Sequence, residues 1–296
     1  MSDAAPPSGL GIWVAGARPR TLAVSAAPVV VGTCAAFQVA DTVIWWRALA
    51  ALVVALALQV GVNYANDYSD GVRGTDKARR GPIRLVASGL ASPEAVKAAA
   101  SAAFAVAAVA GLALALAVDL RLLLVGVLAI AAAALYTGGP RPYGYYGFGE
   151  LMVFVFFGLV ATCGSQWVQI EDITSPAFWG SFVVGLPTVA VLLANNIRDI
   201  PTDLVSGKRT LAVRLGPIRA RRLYGLCIAG SLVALGFVCI DAPWAAIGFA
   251  AVPFAVLPVH LVLSREDPPG LVAGLVATVR FTIVLAALTG LGIAVS

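Results

Sequence analysis

Two short stretches gather carboxylates and carboxamides in a chain that is otherwise strongly apolar. The first holds Gln59, Asn63, Asn66, Asp67, Asp70 and then Asp76; the second holds Asn195, Asn196, Asp199 and Asp203. Residues three or four apart share one face of a helix. Gln59, Asn63, Asp67 and Asp70 make one such stripe, and the second cluster makes another. Carboxylates facing one cavity repel each other, and near hydrocarbon each costs about 2.5–3.5 kcal/mol. They need neutralising by protons, by bases or by metal. Hard oxygen ligands suit Mg²⁺, which keeps waters and is shared between carboxylates and substrate phosphates. Bases follow both clusters: Arg73, Lys77, Arg79, Arg80 and Arg84 the first, Lys208 and Arg209 the second. Lys and Arg are phosphate partners. A single Asp or Arg after a spanning helix reads as a solvated topology signal. Two matched clusters, each followed by bases, read as a site.

The elements that must carry these clusters are membrane helices. Of 296 residues, 60% are hydrophobic and 12% charged, against about 25% charged in soluble domains. Such a chain cannot cover a globular surface with polar groups. A span needs about 20 apolar residues, and runs of that kind lie near 21–40, 46–66, 94–118, 120–137, 148–168, 177–197, 221–240, 243–263 and 271–295. The expected fold is all-α, a bundle of about nine transmembrane helices with polar loops capping a central cavity. The runs do not alternate as barrel strands do. Residues 1–12 read as a mobile tail and 13–296 as one domain. That domain divides into two similar four-helix halves, about 13–137 and 148–263, plus a ninth helix. No cleavable signal peptide is visible. Cys34, Cys163, Cys227 and Cys239 match no zinc or redox spacing and read as packing residues.

With nine spans, the N-terminus and the even-to-odd loops share a side, and that side collects most of the Lys and Arg. This excess marks the cytoplasmic face of a cell membrane, so the N-terminus is expected inside and the chain multi-pass. The net charge of +5 follows from the same bias and gives no argument for nucleic acid. Residues 136–150, YTGGPRPYGYYGFGE, read as a loop entering the fifth span. Its tyrosines 136, 143, 145 and 146 suit an interfacial belt, or they place a tyrosine and Arg141 on the polar cavity. Gln166 and Gln169 read as interfacial. Arg280 falls inside the last span or at its interface, depending on where that helix begins. His260 has no adjacent nucleophile and receives no role.

These residues resemble the intramembrane aromatic prenyltransferases, the UbiA-like superfamily, over about residues 13–216. The superfamily's two Asp-rich motifs match Asn66-Asp67-x-x-Asp70, with Asp76 six residues on, and Asp199-x-x-x-Asp203. Where many members carry a further Asp, this chain has Gly74. Four stretches are most similar to the branch that prenylates 1,4-dihydroxy-2-naphthoate in menaquinone synthesis: ARPRTL (17–22), NDYSDGVRGTD (66–76), residues 136–150, and NNIRDIPTDLVSGKRTLAVRLG (195–216).

The resemblance implies a nine-helix bundle whose substrates are a long polyprenyl diphosphate and 1,4-dihydroxy-2-naphthoate, within the lipid bilayer. It implies Mg²⁺ held by Asp67, Asp70, Asp199 and Asp203, with Asp76 a further candidate. Asn66 and Asn195 would add contacts to the diphosphate or its ion. Lys77, Arg79, Arg84, Tyr136, Arg141 and Lys208 are candidates for the remaining phosphate oxygens. The same chemistry with another aromatic or lipid acceptor stays open, as does a secondary transporter, which also uses polar residues in broken helices.

Overall fold

The computed structural model describes residues 8–75 and 83–296. A short helix α1 (Leu10–Ala17) leads into α2 (Pro19–Ala40), α3 (Trp45–Arg73), α4 (Pro93–Ala117) and α5 (Arg121–Leu135). A one-turn helix at Tyr143–Tyr146 precedes α6 (Gly149–Ile170) and α7 (Ser175–Val205). The chain ends with α8 (Leu211–Asp241), α9 (Pro243–Ser264) and α10 (Pro268–Ala294). Among the described residues there are no strands, and eight helices are long and apolar enough to cross a membrane.

Each of the nine apolar runs has its helix, but α5 has only 15 residues, or about 22 Å of rise. That falls short of the roughly 30 Å hydrocarbon thickness. Within residues 1–12, expected to be a tail, α1 begins at Leu10. Residues 1–7 lie outside the described residues. Tyr64 of α3 anchors α1: its hydroxyl donates to the Trp13 carbonyl at 2.7 Å, and the two rings meet edge-on.

Local chemistry sets the helix ends. Ser92 accepts from the Ala95 N–H with Pro93 in the first turn of α4, and Asp267 accepts from the Gly270 N–H with Pro268 opening α10. Both are capping side chains followed by a proline at its tolerated position. Gly74 ends α3 at φ 70°, a left-handed conformation that glycine adopts without strain.

Helix α7 is the most enclosed span, packed against α2, α6, α8 and α10. Its approach to α6 uses glycine on both sides. A Cβ on Gly185 would lie 2.8 Å from the Gly158 Cα, and α6 widens into a π-helical stretch over Phe154–Val160 at that contact. Small residues let backbones approach in lipid, where packing rather than the hydrophobic effect joins helices. Gln166 and Gln169 are buried, not interfacial. Gln166 accepts from the Thr174 N–H at the start of α7, and Gln169 accepts from the Ile44 N–H before α3, both at 2.8 Å.

Helices α3 and α7 have 29 and 31 residues, about 44 and 46 Å of rise. Both overrun the hydrocarbon, so their polar last turns have room to stand at its edge.

Candidate active site

A cavity of about 1700 Å³ opens between α2, α3, α4, α5, α6 and α7, with the start of α10 at its rim. Most of its wall is apolar and includes Leu58, Leu112, Leu123, Ile130 and Phe157. One end is polar, and the Asp-bearing last turns of α3 and α7 both face it. The described lining carries the carboxylates Asp70, Asp199 and Asp203 and the bases Arg18, Arg20, Arg84, Arg198 and Lys208. Bases therefore outnumber carboxylates, which favours an anionic ligand.

The two clusters meet through Lys208. Its backbone N–H donates to the Asp203 carbonyl at 2.9 Å, and its Nζ donates to Asp70 Oδ1, also at 2.9 Å. The same Asp70 oxygen accepts the Tyr145 hydroxyl at 2.5 Å, while Arg84 stands 3.9 Å from the other oxygen. The Tyr145 ring lies under Lys208 and Arg73, with ring centroids 4.7 and 5.3 Å from the cations. Burial first, and then the Asp70 charge, push the Tyr145 phenol well above its usual range, so it stays a hydrogen donor.

The 136–148 segment reaches this position because α3 holds it. Ser69 and Arg73 donate to the Thr137 carbonyl at 2.5 and 3.0 Å, and Thr137 Oγ1 donates to Asn66 at 2.7 Å. From the other side, the Arg209 N–H donates to the Tyr145 carbonyl at 2.8 Å. One loop thus joins the ends of α3 and α7.

On α7, Arg198 grips Asp199 with Nε on one oxygen at 2.7 Å and a terminal nitrogen on the other at 2.8 Å. That nitrogen also reaches Asn195 Oδ1 at 2.8 Å. Thr210 stands 3.5 Å from an oxygen of Asp203. Deeper on the same wall, the amide of Asn196 donates to the buried Glu150 at 2.9 Å.

Asp70, Asp199, Asp203, Asn66, Asn195, Arg84, Tyr136 and Lys208 therefore share one chamber. Asp67 does not. It is buried away from the cavity, and its two oxygens accept the N–H groups of Leu85 and Val86 at 2.8 and 3.0 Å. Each oxygen holds one main-chain N–H of the segment after the first motif, so this carboxylate, expected to hold an ion, stands outside the chamber and braces the backbone. Arg141 is exposed between Pro140 and Pro142 and is not among the lining residues. Arg280 lies within α10 on an exposed face, also away from the lining. Asp76, Lys77 and Arg79 fall outside the described residues.

Arg198 lines the cavity without having been singled out in the sequence, and Tyr145 is the tyrosine of residues 136–150 that reaches Asp70. Glu150, buried behind Asn196, stood unremarked at the end of that loop. The ARPRTL stretch also gains a place, with Arg18, Arg20 and Thr21 on the lining.

The donor set fits Mg²⁺ in kind, since every candidate ligand is a carboxylate or carboxamide oxygen. Among the described residues no three carboxylates, histidines or cysteines come together to hold an ion alone. An ion there would take further oxygens from water or from a ligand such as phosphate, as Mg²⁺ commonly does.

The family model described as the UbiA prenyltransferase family matches residues 25–273. The chain belongs to the UbiA prenyltransferase family. The protein named 1,4-dihydroxy-2-naphthoate octaprenyltransferase in Mycobacterium tuberculosis is 52% identical over 243 residues, covering 82% of this chain and 83% of that one. The Escherichia coli protein of the same name is 36% identical over 301 residues, covering 96% and 95%. Among solved structures, a UbiA homolog from Archaeoglobus fulgidus bound to GPP and Mg²⁺ superposes with a TM-score of 0.67 at 14% identity, covering 94% and 99%. The apo UbiA homolog from Aeropyrum pernix K1 also gives 0.67, at 17% identity, covering 93% and 97%. At such identities these likenesses establish the UbiA fold.

Proposed function

We propose that this UbiA-family chain transfers a polyprenyl group from polyprenyl diphosphate to 1,4-dihydroxy-2-naphthoate. The step releases diphosphate and CO₂ and gives demethylmenaquinol. The observation that carries this reading is the shared chamber, with carboxylates and bases from α3 and α7 at one end and a long apolar compartment behind them. The relatives' printed names supply the acceptor. We place the polar end at the cytoplasmic face of the cell membrane, on the Lys and Arg excess there.

Asp70, Asp199 and Asp203 would hold Mg²⁺, with Asn66 and Asn195 beside them. When bound, the ion neutralises charge that develops on a departing diphosphate. Lys208, Arg84 and Arg198 bind the remaining diphosphate oxygens by charge-assisted hydrogen bonds. The apolar wall receives the prenyl tail and keeps water from the reactive carbon. The allylic C–O bond breaks and its electron pair leaves with the diphosphate. The ring carbon bearing the carboxylate forms the new C–C bond. Loss of that carboxylate as CO₂ returns an electron pair to the ring, so no side chain must take a proton from that carbon. Tyr136, on the lining beside Gly149, and Asn196, locked by Glu150, face the volume left for the acceptor.

The test is prenyl transfer by purified protein in lipid, with labelled polyprenyl diphosphate and a panel of acceptors. Transfer to dihydroxynaphthoate, dependent on divalent metal, is the expected result. Transfer only to 4-hydroxybenzoate or another acceptor overturns the assignment of substrate.

A further inference from the structure

Arg198 stands in an unusual relation to Asp199. Adjacent residues on a helix project about 100° apart and do not ordinarily face each other. Here the guanidinium folds back along α7, covers both oxygens of the next residue and is steadied by Asn195 one turn earlier. Both side chains are almost fully buried at the cavity wall. The fork therefore occupies the oxygen atoms that the functional reading gives to the ion.

We propose that Arg198 is a placeholder: it neutralises Asp199 while no ion is bound, and it transfers to the diphosphate when the ion arrives. The inference rests on the function proposed above and adds a role for a residue outside the Asp motifs. An ion that binds alone must displace the guanidinium and leave a buried cation without its carboxylate, which is strongly unfavourable. An ion that arrives with diphosphate brings phosphate oxygens, and the planar fork of arginine suits them as well as it suits a carboxylate. Ion and diphosphate must then bind cooperatively. By linkage, each raises the affinity of the other by the same factor. Lys208 on Asp70 follows the same logic as a point charge.

The experiment measures Mn²⁺ binding to the purified full chain by electron paramagnetic resonance, with and without inorganic pyrophosphate. Wild type is expected to bind Mn²⁺ weakly alone and about tenfold or more tighter with pyrophosphate, within the usual range of coupling. Arg198→Gln is expected to bind Mn²⁺ alone about tenfold tighter than wild type and to lose most of the coupling. Arg198→Lys keeps the charge but not the fork, so it falls between the two and serves if Arg198→Gln does not fold. Pyrophosphate-coupled binding in wild type, with neither variant gaining affinity for Mn²⁺ alone, overturns the placeholder and leaves the functional reading standing. No pyrophosphate-coupled binding in wild type, together with no prenyl transfer, removes the functional reading and the inference with it.

Discussion

Asp67 and Asp70 stand less than one turn apart on α3 and do different work. Asp67 accepts the N–H groups of Leu85 and Val86, while Asp70 faces the cavity and holds Lys208 and Tyr145. Their substitutions must separate. Asp70→Asn is expected to lower turnover by at least about 100-fold, the scale for losing an electrostatic group at a reacting centre, with insertion and folding retained. Asp203→Asn is expected to act alike. Full activity in both would remove the site.

Asp67→Asn has a structural consequence. The carboxamide can accept at one atom only, leaving one main-chain N–H against its NH₂ group. The expected cost is about 1–3 kcal/mol of stability, seen as a lower thermal midpoint. The Mg²⁺ concentration giving half-maximal rate should not change. A shifted metal requirement without loss of stability would return Asp67 to the ion site.

Lys208→Met removes the cation that bridges the two clusters. Its effect should fall on kcat/KM for the prenyl diphosphate, by about 100-fold, and leave KM for the naphthoate little changed. Steady-state kinetics with each substrate varied in turn decide the matter.

Removal of divalent metal should stop transfer, and added Mg²⁺ should restore it. Rates unchanged in EDTA would refute an ion's part in the reaction.

Tyr143 sets an alkaline limit on stability. Burial pushes its phenol up to about 12, whereas an unfolded tyrosine titrates near 10. The buried neutral form therefore stabilises the fold fully below about pH 10. That contribution is lost as pH rises from there through the folded value, because the unfolded chain releases the proton first. Melting measured between pH 8 and 11 should fall more steeply for wild type than for Tyr143→Phe. Parallel curves would show that this phenol does not report on folding.

The bundle was legible because run length alone identifies a span, and every apolar run found its helix. The shortness of α5 was not, since Tyr136 and Thr137 continue the apolar pattern after the helix stops at Leu135. At the site, Asp70 and the cluster of Asn195, Asp199 and Asp203 were legible from spacing, whereas Asn66 was legible only through the family motif. Spacing could not divide Asp67 from Asp70, because what separates them is a loop partner at Leu85 and Val86. Nor could it expose Arg198, since neighbours on a helix are not expected to bond. Tyr145 owes its place to Ser69 and Arg73 fixing Thr137, a tertiary effect with no periodicity to betray it.

The bond between Asp70 and Lys208 also orders events on the ribosome. Arg198 and Asp199 leave it together, so that pair is complete as soon as it is made. Asp70 is synthesised 138 residues before Lys208, and of its two cations only Arg84, 3.9 Å away in the finished protein, appears early. The first cluster must therefore wait, incompletely neutralised, until most of the nascent chain has entered the bilayer. A fragment ending with α7 at Val205 would lack Lys208, and the first cluster gains that counter-ion only once the loop after α7 has been delivered.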